Sequence, residues 1–283
     1  MKYGICEVSI PHDHKIGEIE SPSIWRFEFK EDPEKHVVLH TINLLEKDNF
    51  FSSLRKDIAK TETKRTFLFV HGYNTSFGEA AKRTAQISYD LLFDGKAVFY
   101  SWPSQESLLG YSRDEANIEW AQSNIRNFLE DYISKSDAEE IYLVAHSMGN
   151  RGLTKALIDL ISERPELRTK IKEIILAAPD IDAEVFKRDI APKMVSKVQR
   201  PITLYVSSDD LALKASKHLH GTPRAGDSAN EIVVVDGVET IDATGVDTSF
   251  LSHSYFADTN SIISDIFDLI KTGKRAFNRC LLY

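Results

Sequence analysis

The stretch of sequence that decides the fold is Ile141-Tyr142-Leu143-Val144-Ala145-His146-Ser147-Met148-Gly149. It opens with a continuous apolar run, which predicts a strand with both faces buried. After Gly149, apolar residues recur at helical spacing, at Leu153, Ala156, Leu157, Leu160 and Ile161. The pattern predicts that Ser147 lies in a tight turn between a buried strand and an amphipathic helix.

Similar apolar runs occur on both sides of this stretch and predict further buried strands at residues 66–70, 97–100, 173–177, 202–206 and 231–235. Helical spacing fills most of the gaps between them. This alternation predicts an α/β fold with a mostly parallel central sheet, right-handed crossovers and helices on both faces. Towards the N-terminus, residues 25–29 and 36–45 predict antiparallel edge strands, and residues 49–60 predict a short connecting helix.

The composition excludes several classes of protein. The 283-residue chain has a net charge of −8, which disfavours nucleic acid as a partner because phosphate binding needs surplus Lys and Arg. No apolar run approaches the roughly 18–20 residues that span a membrane, and the first residues do not resemble a signal peptide. The two cysteines, Cys6 and Cys280, predict a reduced, cytoplasmic protein, with a clasp between them as the alternative.

The segment around Ser147 has the small residues that a nucleophilic serine needs in a tight turn. It resembles the nucleophile elbow Gly-x-Ser-x-Gly, in which the serine adopts a strained backbone conformation. Bulky residues two positions away would collide with this turn, and Ala145 adds only one methyl group where the pattern has glycine. The alternative is that Ser147 merely caps the following helix.

With this elbow, several stretches resemble the α/β-hydrolase superfamily over residues 64–272. The likeness is closer to an uncharacterised bacterial family within it, and it rests on residues 3–11, 70–74, 100–104, 145–150, 177–182, 205–213 and 252–256. The resemblance implies an α/β-hydrolase fold in a single domain over residues 1–283. Residues 1–63 would form the N-terminal edge strands and connector, 64–272 the catalytic core and 273–283 a C-terminal tail. The stretch between Asp182 and Arg200 is too short for a large cap domain.

A nucleophilic serine needs a base that takes its proton and an acid that orients the base. In this superfamily the chain order is serine, acid, histidine. Three histidines follow Ser147, namely His218, His220 and His253. Only His253 comes after the last predicted strand, where the base normally lies. We therefore expect His253 to be the base and the other two to be loop or surface residues.

The acid is expected just after the strand at residues 202–206. Many α/β-hydrolases have Gly-x-x-Asp there, and Ser207-Ser208-Asp209-Asp210 places Asp210 at the position of the acid. Asp209 is the first alternative. Asp180 is the second, because some members take their acid from the preceding strand. The closer family implies Ser147, Asp210 and His253 by position.

Acyl transfer also needs N–H donors for the oxyanion that develops in the transition state. The backbone N–H of Met148 is one candidate, at the positive end of the helix that follows the elbow. The second candidate is the backbone N–H of Tyr73, because residues 70–74 resemble the His-Gly turn that supplies this donor in the superfamily. We expect the side chains of His71 and Asn74 to hold that loop, and His146 to pack beside the elbow.

These residues predict a serine hydrolase, most simply a carboxylesterase that acts on short or medium acyl esters through an acyl-enzyme. Trp102, Tyr73 and Tyr111 are candidate walls of an aromatic cleft. The chemistry requires no cofactor and no metal, and the expected partner is a small-molecule ester. The alternatives are a thioesterase or amidase with the same triad, and a non-catalytic binding module on the same fold. The sequence does not predict the oligomeric state.

Overall fold

Eight strands and eight helices follow one another along the chain in this computed structural model, which describes residues 1–23, 25, 27–229, 231–245 and 260–279. The strands are β1 (Tyr3–Ser9), β2 (Val38–Leu45), β3 (Arg65–Val70), β4 (Gly95–Tyr100), β5 (Glu140–His146), β6 (Ile171–Ala177), β7 (Ile202–Val206) and β8 (Glu239–Asp242). The helices are α1 (Lys47–Ile58), α2 (Phe77–Asp90), α3 (Tyr111–Lys135), α4 (Gly149–Glu163), α5 (Ala183–Val185), α6 (Ala191–Lys193), α7 (Leu211–His220) and α8 (Asn260–Thr272).

The last six strands form one central sheet in the order β4-β3-β5-β6-β7-β8, and every neighbouring pair is parallel. The predicted α/β fold with a mostly parallel sheet is therefore confirmed. Because the strands are parallel, all their carboxyl ends meet at one edge of the sheet, where ligands bind in folds of this kind. β5 lies inside the sheet and ends at the predicted elbow.

Both faces of the sheet are covered, which explains why the strands are continuous apolar runs. Along β5, Ile141, Leu143 and Ala145 belong to one buried cluster, whereas Tyr142 and Val144 belong to the other. The first cluster includes the apolar sides of α3 and α4, and the second includes those of α2 and α8. Burial of these side chains supplies the main driving force that holds the layers together.

The N-terminal strands are antiparallel, as predicted, but they form a separate two-stranded sheet, β1 with β2. The prediction of a strand at residues 25–29 is wrong, because its described residues form no strand and Trp25 and Phe29 are exposed. β1 takes its place as the partner of β2. The short helix predicted at 49–60 is confirmed as α1, two residues earlier.

The last predicted strand is also misplaced. Residues 231–235 do not pair with β7, which instead pairs with β8. The polar strand β8 is held in place by hydrogen bonds of its first residue. The Glu239 carboxylate accepts from Arg275 at 2.7 Å and from the backbone N–H of Ala276 at 3.0 Å. Residues 231–235 lie beside it, where Val233 is buried and its carbonyl accepts a hydrogen bond from Thr240.

The connection between β6 and β7 contains no large cap domain. Residues 183–198 form a short helical segment in which α5 and α6 alternate with two turns of π-helix, Phe186–Ile190 and Met194–Val198. Its buried side chains, among them Phe186 and Met194, join the same cluster as α4. Across the described ranges, no helix combines the length and the apolar character needed to cross a bilayer. Cys6 is a free thiol, and Cys280 lies outside the described residues.

Candidate active site

Ser147 lies directly after β5 in a strained conformation. Its φ of 49° is in the left-handed region, which residues with a Cβ avoid. The backbone is held there by hydrogen bonds to the end of β6. The N–H of Ser147 donates to the carbonyl of Ala177 at 3.0 Å, and the carbonyl of Ser147 accepts from the N–H of Asp180 at 3.2 Å. Ser147 does not cap α4, because Met148 occupies the N-cap position.

Asn150 adds a second clamp to this turn. Its side-chain amide, fully buried in the first turn of α4, donates to the carbonyl of Ser147 at 2.9 Å and to that of Ala177 at 3.1 Å. The turn is thus tied to the neighbouring strand by both main-chain and side-chain bonds. Strained residues of this kind persist when the surrounding structure over-determines them.

Two glycines allow the loop after β3 to approach the elbow closely. A Cβ on Gly149 would lie 2.4 Å from the carbonyl oxygen of His71 and 2.6 Å from that of Val70, which is too close for any side chain. A Cβ on Gly72 would lie 3.0 Å from the Cβ of Ser147. The backbone that leads into Tyr73 therefore passes directly beside the candidate nucleophile.

The two candidate oxyanion donors lie on either side of this contact. Met148 is buried at the start of α4, where the helix dipole is positive. Tyr73 lies in the loop after β3 with its ring half-buried, and Asn74, which follows it, has a left-handed φ of 52°. This placement is consistent with both predicted roles, which remain predictions.

His71 fixes the candidate oxyanion loop. Its buried ring stacks on Trp102, with centroids 5.0 Å apart, and Nδ1 donates to the carbonyl of Gly72 at 2.8 Å. Burial lowers the pKa of His71 to about 4, so the ring is neutral near pH 7. Trp102 in turn donates to the carbonyl of His71 at 2.8 Å. Because Trp102 is buried in this contact, it does not form the predicted cleft wall.

A second anchor of the loop is Asp114, which the sequence analysis did not identify. This fully buried carboxylate accepts from the N–H of Asn74 at 3.3 Å, from the hydroxyl of Ser104 at 2.7 Å and from the N–H of Gln105 at 2.7 Å. It joins the loop after β3 to the loop after β4. A buried carboxylate bound by three donors fixes both loops before any ligand arrives.

Asp210, the predicted acid, follows β7 at the N-cap of α7. Its carboxylate accepts from the backbone N–H of Leu213 at 3.0 Å and is 6% exposed. Burial raises the pKa of this carboxyl, and the negative charges of Asp180 and Asp227 raise it further. Asp209, the first alternative, accepts instead from the backbone N–H of Gly245 at 2.9 Å.

Asp180, the second alternative, is the centre of a buried polar cluster. Its carboxylate accepts hydrogen bonds from the hydroxyls of Tyr111 and of Ser216, the latter at 2.6 Å, and forms an ion pair with Arg224 at 3.2 Å. Arg151 donates to the carbonyl of Asp180 at 2.5 Å and to the Tyr111 hydroxyl at 3.0 Å. We call these five residues the Asp180 cluster.

Of the three histidines that follow Ser147, the structure describes two, His218 and His220. His253, the predicted base, lies outside the described residues. His220 is not an isolated surface residue: its ring contacts Tyr111, with centroids 5.4 Å apart, and its Nε2 lies 2.8 Å from the carboxylate of Glu115. His218 lies on the exposed side of α7 beside a surface groove of about 420 Å³.

The sequence did not predict most of the side chains that anchor the elbow and its neighbouring loops or that form the Asp180 cluster: Asp114, Asn150, Arg151, Ser216 and Arg224. They come from separate helices and loops, so no local spacing connects them. Only Asn150 had a usable signal, since it lies three residues after Ser147 in the first turn of the predicted helix.

The parallel sheet and the strained serine between β5 and α4 define an α/β-hydrolase fold. The family model "Alpha/beta hydrolase of unknown function (DUF900)" matches residues 46–272. The chain belongs to this family, which confirms the resemblance found in the sequence. No curated protein matches the chain.

Several solved structures are similar at low identity. A predicted CIB-like hydrolase from Thermoplasma acidophilum is 14% identical, with 81% of this chain and 90% of that chain covered and a TM-score of 0.43. Est1E from Butyrivibrio proteoclasticus with bound ferulic acid is 15% identical over 75% and 89% of the two chains, with a TM-score of 0.43. A fungal esterase from Rhizomucor miehei is 14% identical over 72% of each chain, with a TM-score of 0.40.

Proposed function

We propose that the protein is a serine hydrolase that cleaves carboxylic esters through an acyl-enzyme on Ser147. The observation that carries this proposal is the left-handed backbone of Ser147 at the carboxyl end of β5, held by bonds to Ala177, Asp180 and Asn150. A serine that only capped α4 would occupy the N-cap in an extended conformation. The strain has a purpose if the hydroxyl must face a substrate at the edge of the sheet.

In this proposal His253 removes the proton from Ser147 and Asp210 orients the imidazole. The serine oxygen attacks the ester carbonyl, and the alcohol leaves with the proton held by His253. His253 then takes a proton from water, the water attacks the acyl-enzyme, and the acid leaves as the proton returns to Ser147. The backbone N–H groups of Met148 and Tyr73 stabilise the oxyanion of each tetrahedral intermediate. Their positions at a helix start and in an anchored loop support this role, because pre-organised donors are worth about 3–4 kcal/mol of barrier each.

The expected substrates are esters with short or medium acyl groups. The helical segment 183–198 is compact, and in this proposal the rings of Tyr73 and Tyr111, 5.3 Å apart and both half-buried, form one wall of the cleft. Such a wall suits a modest apolar or aromatic group. Thioesters and amides share the chemistry, so a butyryl thioester and a butyryl anilide should be assayed beside the butyryl ester. Faster turnover of the thioester would replace the ester assignment.

A fluorophosphonate probe tests the proposal directly, because it labels only an activated serine. We expect it to label the wild-type protein at Ser147, and Ser147→Ala to lose both labelling and at least about 10⁴-fold of the turnover of 4-nitrophenyl butyrate. Ser196→Ala, on the exposed side of the helical segment 183–198, is the matched control and should retain both. A wild-type protein that is neither labelled nor active on esters would instead be a binding module.

A further inference from the structure

The guanidinium of Arg224 has a donor that its surroundings do not use. Arg224 is 3% exposed, and its Nε donates to the hydroxyl of Ser216 at 2.8 Å beside the carboxylate of Asp180. Its Nη2 is buried and has no hydrogen-bond partner among the residues that the structure describes. Leaving a buried donor unpaired costs about 1–3 kcal/mol, and more for a charged group. Such a donor therefore points to a missing acceptor.

The position of Arg224 connects this donor to the elbow. Residues 223–227 lie along the loop after β6, where the N–H of Ala225 donates to the carbonyl of Ile181 at 2.8 Å and the N–H of Gly226 to that of Pro179 at 2.9 Å. Asp180 links the two sites, since its N–H donates to the carbonyl of Ser147 and its carboxylate pairs with Arg224. One residue thus separates the unused donor from the candidate nucleophile.

The surroundings of Arg224 favour an anionic acceptor. A second guanidinium, that of Arg151, lies on the other side of Asp180, at 3.5 Å. The surface groove on α7 is lined by residues that flank Arg224 in the chain, Gly221 and Asp227, and by three basic side chains, Lys214, Lys217 and His218. Its one carboxylate, that of Asp227, is already paired with Lys217 at 3.1 Å. An anion near this groove therefore meets an excess of positive charge.

We propose that Arg224 is a binding residue for a carboxylate carried by the substrate, so that the enzyme acts on esters with an acidic end. The planar guanidinium fork matches a carboxylate, and its hydrogen bonds to an anion are shorter and stronger than those to a neutral carbonyl. Tyr111 donates to the same Asp180 carboxylate that pairs with Arg224, and in this proposal it provides the wall along which the chain linking ester and carboxylate lies. The inference rests on the proposed function, because it names the substrate class of the same site.

A pair of esters of equal acyl length tests the subsite: 4-nitrophenyl butyrate, which is neutral, and the 4-nitrophenyl monoester of succinic acid. We expect Arg224→Met to reduce kcat/KM for the acidic ester 10- to 100-fold more than it reduces kcat/KM for the neutral ester. Arg164→Met removes an exposed guanidinium that pairs with Glu130 and Glu166 and should change neither. Equal losses on both esters would overturn the proposal.

Binding without turnover separates failure of the subsite from failure of the proposed hydrolase. Glutarate should raise the melting temperature of wild-type protein and of Ser147→Ala, and should not raise that of Arg224→Met. Arg224→Lys keeps the charge but loses the planar fork, so it is the variant to use if Arg224→Met does not fold, and it should lose at least fivefold of glutarate affinity. Stabilisation by glutarate without hydrolysis of any ester would retain the subsite and reject the hydrolase.

Two further outcomes would overturn the carboxylate assignment. Ester hydrolysis with no response to glutarate in any variant would mean that Arg224 is structural and that its free donor is met by a buried water. Stronger stabilisation by inorganic phosphate than by glutarate would mean that the subsite takes a phosphate group.

Discussion

Asp180 and Asp210 are buried carboxylates at the ends of the neighbouring strands β6 and β7, yet they are bound in different ways. Asp180 is held by side chains: two hydroxyls and the guanidinium of Arg224. Asp210 is held by the backbone N–H groups at the start of α7, and no cation pairs with it within the described part of the chain. The first carboxylate is saturated by partners, whereas the second has acceptor capacity to spare.

This difference corresponds to two different roles that a carboxylate beside an active site can have. A carboxylate surrounded by fixed donors organises those donors, and here it joins the loop after β6 to α3, α7 and Arg224. A carboxylate held only from the backbone side can accept one more hydrogen bond, as the acid of a triad must from its histidine. The comparison therefore favours Asp210 as the proposed acid. Asp180 instead positions the side chains that bind to it.

The sharpest way to break this comparison is to remove each charge without removing the side chain. Asp210→Asn preserves the helix cap, because asparagine caps as well as aspartate, but cannot hold the imidazole in the required tautomer. We expect kcat on 4-nitrophenyl butyrate to fall about 10³- to 10⁴-fold with the melting temperature nearly unchanged. Asp189→Asn, in the helical segment 183–198, is the control, because its side chain is partly exposed. It should change neither kcat nor the melting temperature. A similar fall for Asp180→Asn in place of Asp210→Asn would reverse the assignment.

The second largest effect is expected on folding, at Asp180. Asp180→Asn leaves Arg224 and Arg151 without the charge that neutralises them, and breaking a buried ion pair from one side typically costs about 3–5 kcal/mol. We expect urea unfolding to show a loss of this size in the free energy of unfolding. Asp210→Asn, measured in parallel, should lose less than about 1 kcal/mol. Equal losses in the two variants would show that the carboxylates do not have separate duties.

The smallest effect is the pH dependence of Asp210. Burial raises its pKa in the folded protein above the ordinary value of 3.8, so the folded state holds this proton more tightly than the unfolded chain. As pH rises from 3.8 through the folded pKa, wild-type protein should therefore lose stability relative to Asp210→Asn, and the difference should be constant above that range. Thermal unfolding of both proteins from about pH 3.5 to 6 measures it, and a difference that grows in favour of wild type would contradict it.

The strands inside the sheet were predictable from the sequence because burial on both faces leaves a continuous apolar run, as in β5 and β6. The edge strand β8 was not, because its position is decided by bonds of Glu239 to Arg275 and Ala276 rather than by apolar content. The apolar run at residues 231–235 satisfies the same burial rule without joining the sheet, since Val233 enters the core from a loop. Pattern alone therefore misplaces a strand that has only one neighbour.

The candidate site was predictable to a similar extent. The elbow at Ser147 follows from the order strand, small residue, helix, and Asp210 from its place after β7. The Asp180 cluster was not predictable, because Arg151 and Arg224 are charged residues that by default belong on the surface. Arg224 is buried and Arg151 half-buried because the fold brings their partners from α3, α7 and the loop after β6 to one point. Nothing in the local sequence of either arginine indicates that meeting.

A single connection carries several residues of the candidate site. The connection between β7 and β8 carries Asp210, Ser216, Arg224 and the basic groove, whereas Ser147 and its clamps come from β5, α4 and the end of β6. The proposed nucleophile and the proposed carboxylate subsite therefore lie in separate lengths of chain. Exchanging residues 211–229 between members of the family offers a way to transplant selectivity while the nucleophile stays as it is.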